Sequence, residues 1–252
     1  MKKYFTLLAG IAILLIGCDN DEPTTIPDPG NLTLSFQNTV NEAALSMLAA
    51  NYTNASNETY TVNELKYIIS NIRLTTSNNT TFIYPVEDSY FLINEDGNKT
   101  INLSNIPADT YTGITFGFGV DPTKYPIESG TLNFIPLAEE AGMLWTWSAG
   151  YKFLKFEGTY ATATAPDDNL PFLYHVGSHG ATLDNYKEVT LAVADFQITS
   201  ANATSKTIQF DVAKIFDSVY SLSLEEKDDI QVDPVNAPKI AENISTAFSI
   251  VE

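Results

Sequence analysis

Several residue types are scarce in this chain, and each shortage removes a class of function. Cys18 is the only cysteine. No disulfide can form within the chain, and a thiol enzyme is excluded. There are two histidines, His175 and His179, and no His-Glu-x-x-His arrangement. Basic residues are few, with 13 Lys and Arg against 31 Asp and Glu and a formal net charge of −18. Such a chain has nothing to neutralise a row of nucleic-acid phosphates. The acidity favours solubility and draws cations. The sequence also lacks a Gly-x-Ser-x-Gly elbow and a phosphate-cradling glycine loop. Glu139-Glu140, Glu225-Glu226 and Asp228-Asp229 are adjacent pairs, which point to opposite faces of an extended segment and read as solvated surface. Nothing supports a self-contained enzyme.

What is present begins at the N-terminus. Lys2 and Lys3 precede an apolar run over residues 4–16. That run is short of the roughly 20 apolar residues a membrane-spanning helix needs, and it fits a secretory h-region. It ends in Leu15-Ile16-Gly17-Cys18, the pattern of a bacterial lipobox, in which the cysteine becomes the lipid-carrying N-terminus. The expectation is a lipoprotein signal peptide over residues 1–17 and lipidation at Cys18. Residues 18–30, with Asp19, Asp21, Glu22, Pro23, Pro27, Pro29 and Gly30, cannot bury a core and read as a tether. The expected location is the cell envelope, anchored by lipid to the outer membrane. The acidic run after Cys18 resembles the surface-export signals of Bacteroidetes lipoproteins.

From residue 31 the pattern is that of strands, and residues 31–252 are expected to form one domain. Leu32, Leu34 and Phe36 alternate with Thr33, Ser35 and Gln37. Residues 65–76 and 81–84 read as a hairpin about Asn78-Asn79, and residues 90–93 as a short strand. Residues 94–98 (Asn-Glu-Asp-Gly-Asn) offer alternating oxygen ligands, but a hairpin turn with Asp-Gly at its tip explains them better than an EF-hand loop. A strand through Ile114, Phe116, Phe118 and Val120 carries Gly113, Thr115, Gly117 and Gly119 on its other face. A glycine-lined face marks close approach by large groups, and the tryptophans are candidates for that contact. Further strands fall at 187–193, 196–199 and 207–212, a helical turn at 213–217, and a short helix at 237–248 with Pro238 near its first turn. Short strands with frequent turn signals predict a mainly β fold, an antiparallel β-sandwich with few short helices.

Both tryptophans lie in one stretch, Gly142-Met143-Leu144-Trp145-Thr146-Trp147-Ser148-Ala149-Gly150-Tyr151-Lys152-Phe153. Read as extended, it puts Trp145, Trp147, Tyr151 and Phe153 on one face. A sandwich core built on aromatics explains such a cluster without any ligand. His175 and His179, four residues apart, would sit roughly 13 Å apart on one strand, too far for a single metal ion unless Gly177 turns the chain. A histidine at the edge of the core and a loop histidine are the alternatives.

Four blocks together resemble the MbnP-like family, the methanobactin-associated proteins related to the copper-binding CorA/MopE proteins of methanotrophs. They are Tyr67-Ile68-Ile69-Ser70-Asn71-Ile72-Arg73-Leu74, the run from Ile106-Pro107-Ala108-Asp109 through Gly119-Val120-Asp121, Trp145-Thr146-Trp147-Ser148-Ala149-Gly150-Tyr151-Lys152-Phe153, and Phe172-Leu173-Tyr174-His175-Val176-Gly177. The resemblance implies a β-rich domain that binds copper through histidine and a tryptophan oxidised to kynurenine, with a di-haem cytochrome peroxidase as the partner in that oxidation. It implies that Trp145 is the modified residue and His175 a ligand. His179 is the candidate second histidine, and Met143 and Trp147 are candidate supporting residues. The family places a histidine near the tryptophan where this chain has Thr146 and Trp147. The alternative expectation is a non-catalytic surface module that kept the fold and lost the metal.

Overall fold

The computed structural model describes residues 27–49, 51–124, 135–145, 150–178 and 183–251. In chain order the first strands are β1 (Gly30–Val40), β2 (Ala43–Ala44), β3 (Tyr52–Thr53), β4 (Thr59–Thr76), β5 (Thr81–Ile83), β6 (Tyr90–Asn94), β7 (Thr100–Ile106) and β8 (Asp109–Phe118). Helix α1 (Ile135–Glu140) follows, then β9 (Lys152–Thr162), β10 (Ala165–Gly177), β11 (Lys187–Ile198), β12 (Thr204–Asp211) and β13 (Asp229–Ile230). Helix α2 (Asn236–Ser245) and β14 (Phe248–Val251) close the chain. The signal peptide, Cys18 and most of the tether lie outside the described residues. No helix among the described residues is long and apolar enough to cross a membrane.

Two sheets form, as the sandwich expectation requires. The smaller runs β14-β12-β1-β2, with β7 also on β1, and the larger runs β11-β8-β4-β9-β10-β13. Most pairings are antiparallel, but β1 pairs with β12 in parallel, Leu32 against Thr204 through Thr39 against Asp211. The alternation read in residues 32–37 holds, since Leu32, Leu34 and Phe36 are buried. Turn 94–98 forms, with the Gly97 N–H donating to the Asn94 carbonyl at 3.0 Å. It is not a hairpin turn, however, because β6 pairs with β4 in the large sheet and β7 with β1 in the small one. The turn carries the chain between layers. Segments 187–193 and 196–199 belong to one strand, β11, broken by a register shift between Ala192 and Phe196.

β4 positions everything else. Lys66 and Tyr67 pair with both β6 and β9, while Ile69 and Ser70 pair with both β6 and β8. A strand residue can hold two partners only on opposite edges. β9 and β8 therefore follow one another end to end along the same edge of β4, and a seam lies between them near Ile68. There the Gly119 N–H donates to the Ile68 carbonyl at 2.9 Å.

Between the sheets the core is aromatic. Phe210 stacks on Phe248 at 4.7 Å, and Tyr67 meets Phe36, Phe210 and Phe248 edge-on. A second cluster gathers Tyr60, Phe156, Phe172 and Tyr174 around Phe216. Offset and edge-to-face rings each add about 0.5–1.5 kcal/mol beyond the area they bury. Helix α2 presents Ala237, Ile240, Ala241 and Ile244 to the core and packs on β10 and β11. Pro238 lies in its first turn, where a missing N–H costs nothing.

One buried carboxylate fastens a long irregular segment to this frame. Glu58 is 2 % exposed. It accepts hydrogen bonds from the Leu224 and Glu225 N–H groups at 2.8 Å each, from Ser223 Oγ at 2.7 Å and from Asn54 Nδ2 at 2.6 Å. Burial alone would raise its pKa, but the four donors outweigh burial and hold it below the ordinary value. Replacing Glu58 with Ala is predicted to destabilise the domain by about 3 kcal/mol near neutral pH, because charged hydrogen bonds are lost and backbone N–H groups are stranded. Since the folded pKa is depressed, the carboxylate's contribution is complete above the unfolded pKa and is lost as pH falls through the folded value. Urea unfolding of wild type and Glu58→Ala should show a gap that narrows in acid. A constant gap across that range would refute the charged capping role.

Candidate metal site at the seam

The tryptophan stretch does not run straight into β9. Residues 143–145 return against 150–152: Leu144 bridges Tyr151, the Lys152 N–H donates to the Met143 carbonyl at 2.7 Å, and the Trp145 N–H to the Gly150 carbonyl at 3.2 Å. The described segments on either side of residues 146–149 therefore run antiparallel. Trp147 falls between them and lies outside the described residues, as does His179. The reversal breaks the extended reading, so parity does not put Trp145 on one strand face with Tyr151 and Phe153.

Trp145 is 5 % exposed. Its ring does not lie on the glycine face of β8. Phe153 covers Gly119 and Tyr186 covers Gly117, while the indole packs on Gly150 and Gly177. A Cβ at Gly177 would come within 2.5 Å of the indole Cη2 and 2.2 Å of the Tyr151 carbonyl oxygen. Only glycine allows this seat.

His175 stands two positions before Gly177, on the same face of β10, with Cα atoms about 7 Å apart along the strand. It is 6 % exposed although it lies on the outer face, because Phe172, Tyr174 and Val176 take the inner one. Its Nε2 lies 2.8 Å from Glu157 Oε1. Its buried Nδ1 has no hydrogen-bond partner among the described residues. The strand thus brings Trp145 and His175 to neighbouring positions. Met143 is fully buried within the apolar core.

Composition does not reveal the charged group around this histidine. Lys66 stands opposite Lys155 and Glu64 opposite Glu157 across β4 and β9. Like charges directly opposite repel. The contacts run along and between the strands instead: Glu64 meets Lys66 two residues on in β4 and Lys155 diagonally across on β9, at 2.5 Å each, and Lys155 meets Glu157 two residues on in β9 at 3.2 Å. The hydrogen bond from His175 and the nearby Lys155 hold the Glu157 carboxyl down to about 2, against burial. Burial would also raise Glu64, but bonds from Lys155 and Lys66 keep it lowered. Two lysines then reach the strap between α1 and the hairpin: Lys66 Nζ donates to the Ala141 carbonyl at 3.2 Å and Lys152 Nζ to the Gly142 carbonyl at 2.9 Å. One sequence signal marks this region. The apolar doublet Phe153-Leu154 breaks the alternation where β9 shifts register against Val176 and Gly177.

A second polar group lies near the seam. Tyr90 Oη donates to Asp121 Oδ2 at 2.5 Å, and Asn71 Nδ2 reaches both Asp121 Oδ2 and the Tyr186 hydroxyl at 3.1 Å. Burial would raise Asp121, but bonds from Thr123, Tyr90 and Asn71 keep its pKa lowered.

As a donor set, the described residues offer one unengaged imidazole nitrogen beside an indole. Imidazole suits copper and zinc. An unmodified indole N–H is a donor only and cannot ligate.

This sandwich has known counterparts. The MbnP family model matches residues 29–236, and the chain belongs to that family. A solved structure, MbnP from Methylosinus trichosporium, shares the fold with a TM-score of 0.52 at 13 % identity, over 76 % of this chain and 78 % of that one. No curated protein matches the chain.

The glycine seat yields a direct test. Gly177→Ala is predicted to displace Trp145, because the Tyr151 carbonyl is main chain and cannot yield cheaply, and to destabilise by about 1–3 kcal/mol as overpacking does. Near-UV circular dichroism should lose tryptophan fine structure alongside the lower melting temperature. An unchanged spectrum and melting temperature would show that the indole does not occupy this seat.

Proposed function

We propose that this protein is an envelope lipoprotein that binds copper through His175 and an oxidised Trp145, holding or relaying the metal without catalysing a reaction. The observation that carries this reading is the seating of the Trp145 indole on Gly177, two residues along the same strand face from His175, whose buried Nδ1 has no partner among the described residues. A lone pair left unsatisfied in a buried place is costly, and a metal would satisfy it. Membership of the MbnP family supports the same reading. Oxidation of Trp145 to kynurenine would exchange a donor-only indole for an aromatic amine with a lone pair: two peroxide molecules, used by an associated di-haem peroxidase, add two oxygens across the indole C2–C3 bond and leave as water, and hydrolysis then releases the C2 carbon as formate. His179 is the further candidate ligand. The N-terminal pattern supports lipid attachment at Cys18 and an outer-membrane location.

A second reading is favoured by one observation. Trp145 fits so closely against Gly150 and Gly177 that packing alone accounts for it. On that reading the protein is a binding module that keeps the fold without the metal. The depth of Trp145 already removes it as an exposed stacking platform for a ligand.

The two readings separate in copper(I) titrations against a competing chelator, with protein from its native host. His175→Ala should weaken binding by more than the roughly 10–100-fold typical of an outer-shell residue. Copper at 100 times its Kd should stabilise the wild type by about 2.7 kcal/mol. Intact mass should show the loss of one carbon and gain of one oxygen at Trp145. Unmodified Trp145 with copper uptake unaffected by His175→Ala would end the copper reading. Separately, Cys18→Ser should move the protein from the membrane to the soluble fraction; retention at the membrane would end the lipoprotein assignment.

A further inference from the structure

We infer that Glu157 is the positioning residue of the candidate site: it holds the His175 ring by Nε2 and so makes Nδ1 the nitrogen available to a metal. This inference rests on the proposed copper reading for its ligand and on the geometry alone for the orientation. A neutral imidazole has one N–H and one lone pair, and the hydrogen bond made by one nitrogen decides which role the other takes. Glu157 Oε1 lies 2.8 Å from Nε2, and a carboxylate can only accept, so Nε2 carries the proton. The lone pair is then on Nδ1, the buried atom without a partner among the described residues. A carboxylate behind a ligating histidine fixes its ring and tautomer and raises its basicity.

Glu157 is itself fixed. Lys155 lies 3.2 Å from the same Oε1, Glu64 holds Lys155, and Lys66 holds Glu64. Lys66 Nζ also donates to the Ala141 carbonyl, two residues before Met143 in the strap that leads to Trp145. One ionic chain across β4, β9 and β10 thus links the orientation of His175 to the seating of the segment that carries Trp145. Truncating Glu157 removes the acceptor from Nε2, whereas Gln keeps one acceptor oxygen and replaces the other, with its charge, by an amide donor.

The experiment compares wild type, Glu157→Gln and Glu157→Leu, with His179→Asn added for the spectra alone, so that a single histidine reports, and His179 kept for the copper titrations. Long-range proton–nitrogen correlation spectra of metal-free protein labelled with nitrogen-15 in histidine give the tautomer, and copper(I) competition gives the affinity. Thermal melting confirms that each variant is folded. The wild type and Glu157→Gln should show a protonated Nε2 and a bare Nδ1. Glu157→Leu should lose that preference and bind copper(I) about 10–100-fold more weakly than wild type. A proton on Nδ1 in the wild type, or a Glu157→Leu variant with unchanged tautomer and affinity, would overturn the inference. If the tautomer responds as stated while no form binds copper, the copper reading fails and the hold of Glu157 on the ring stands.

Discussion

The architecture depends on one strand edge shared by two partners. β4 is 18 residues long, and β9 and β8 use the same edge of it in succession. Strands cannot meet end to end without a break in the ladder, and β4 deforms where they do. Its register against β8 shifts between Ser70 and Arg73, and Asn71 takes a positive φ of 50°. Asparagine tolerates that conformation better than most side chains, and here its amide also bonds Asp121 and Tyr186. The loop after β8 and the hairpin before β9 both arrive at this break. Loops held by a rigid frame are where binding groups concentrate, and these two segments bring Trp145, Tyr151 and Asp121 to the seam, where Asp121 meets Tyr90 at the start of β6.

Burying a histidine on the outer face of a sheet requires both a cover and a partner. Trp145, at the end of the strap from α1, covers Gly177 two residues along that face, and the strap is fixed by main-chain bonds at Met143, Trp145 and Lys152 and by two lysine ammonium groups. Glu157 supplies the partner. Its charge is partly shielded from solvent and would carry a desolvation cost if it stood alone. The chain of Lys66, Glu64, Lys155 and Glu157 reduces that cost by giving each charge an opposite neighbour. The like-charge pairs that β4 and β9 place face to face are thereby offset by one diagonal contact and two contacts along the strands, each partly shielded from solvent.

Strand periodicity made much of this legible. Leu32, Leu34 and Phe36 showed β1, the apolar run at Ile68, Ile72 and Leu74 showed the second half of β4, and Pro238 placed the start of α2 within two residues. What periodicity could not show was pairing between distant segments. The turn at 94–98 looks like a hairpin locally, and only the partners of β6 and β7 reveal that it changes sheets. The tryptophan stretch fails for the same reason. Residues 142–153 alternate well enough to pass for one strand, but Gly150 and the lost alternation at Phe153-Leu154 mark a reversal and a bulge whose direction depends on β10. Trp145 and His175 could be named from sequence. Glu157 could not, because its meaning comes from standing diagonally across from His175, a relation set by register alone.

The likeness of fold to MbnP from Methylosinus trichosporium, at 13 % identity, fixes the frame and leaves the site to be argued from this chain. Glu157 occupies one of the two imidazole nitrogens of His175, so the described residues present a single free one. A metal held by one nitrogen alone would be held weakly, and the indole beside it adds none while it remains indole. The histidine and the tryptophan therefore stand or fall together. If Trp145 is oxidised, the seam holds two nitrogen donors brought together by Gly177. If it is not, the same residues form a tightly packed core edge in which His175 serves Glu157 and nothing else.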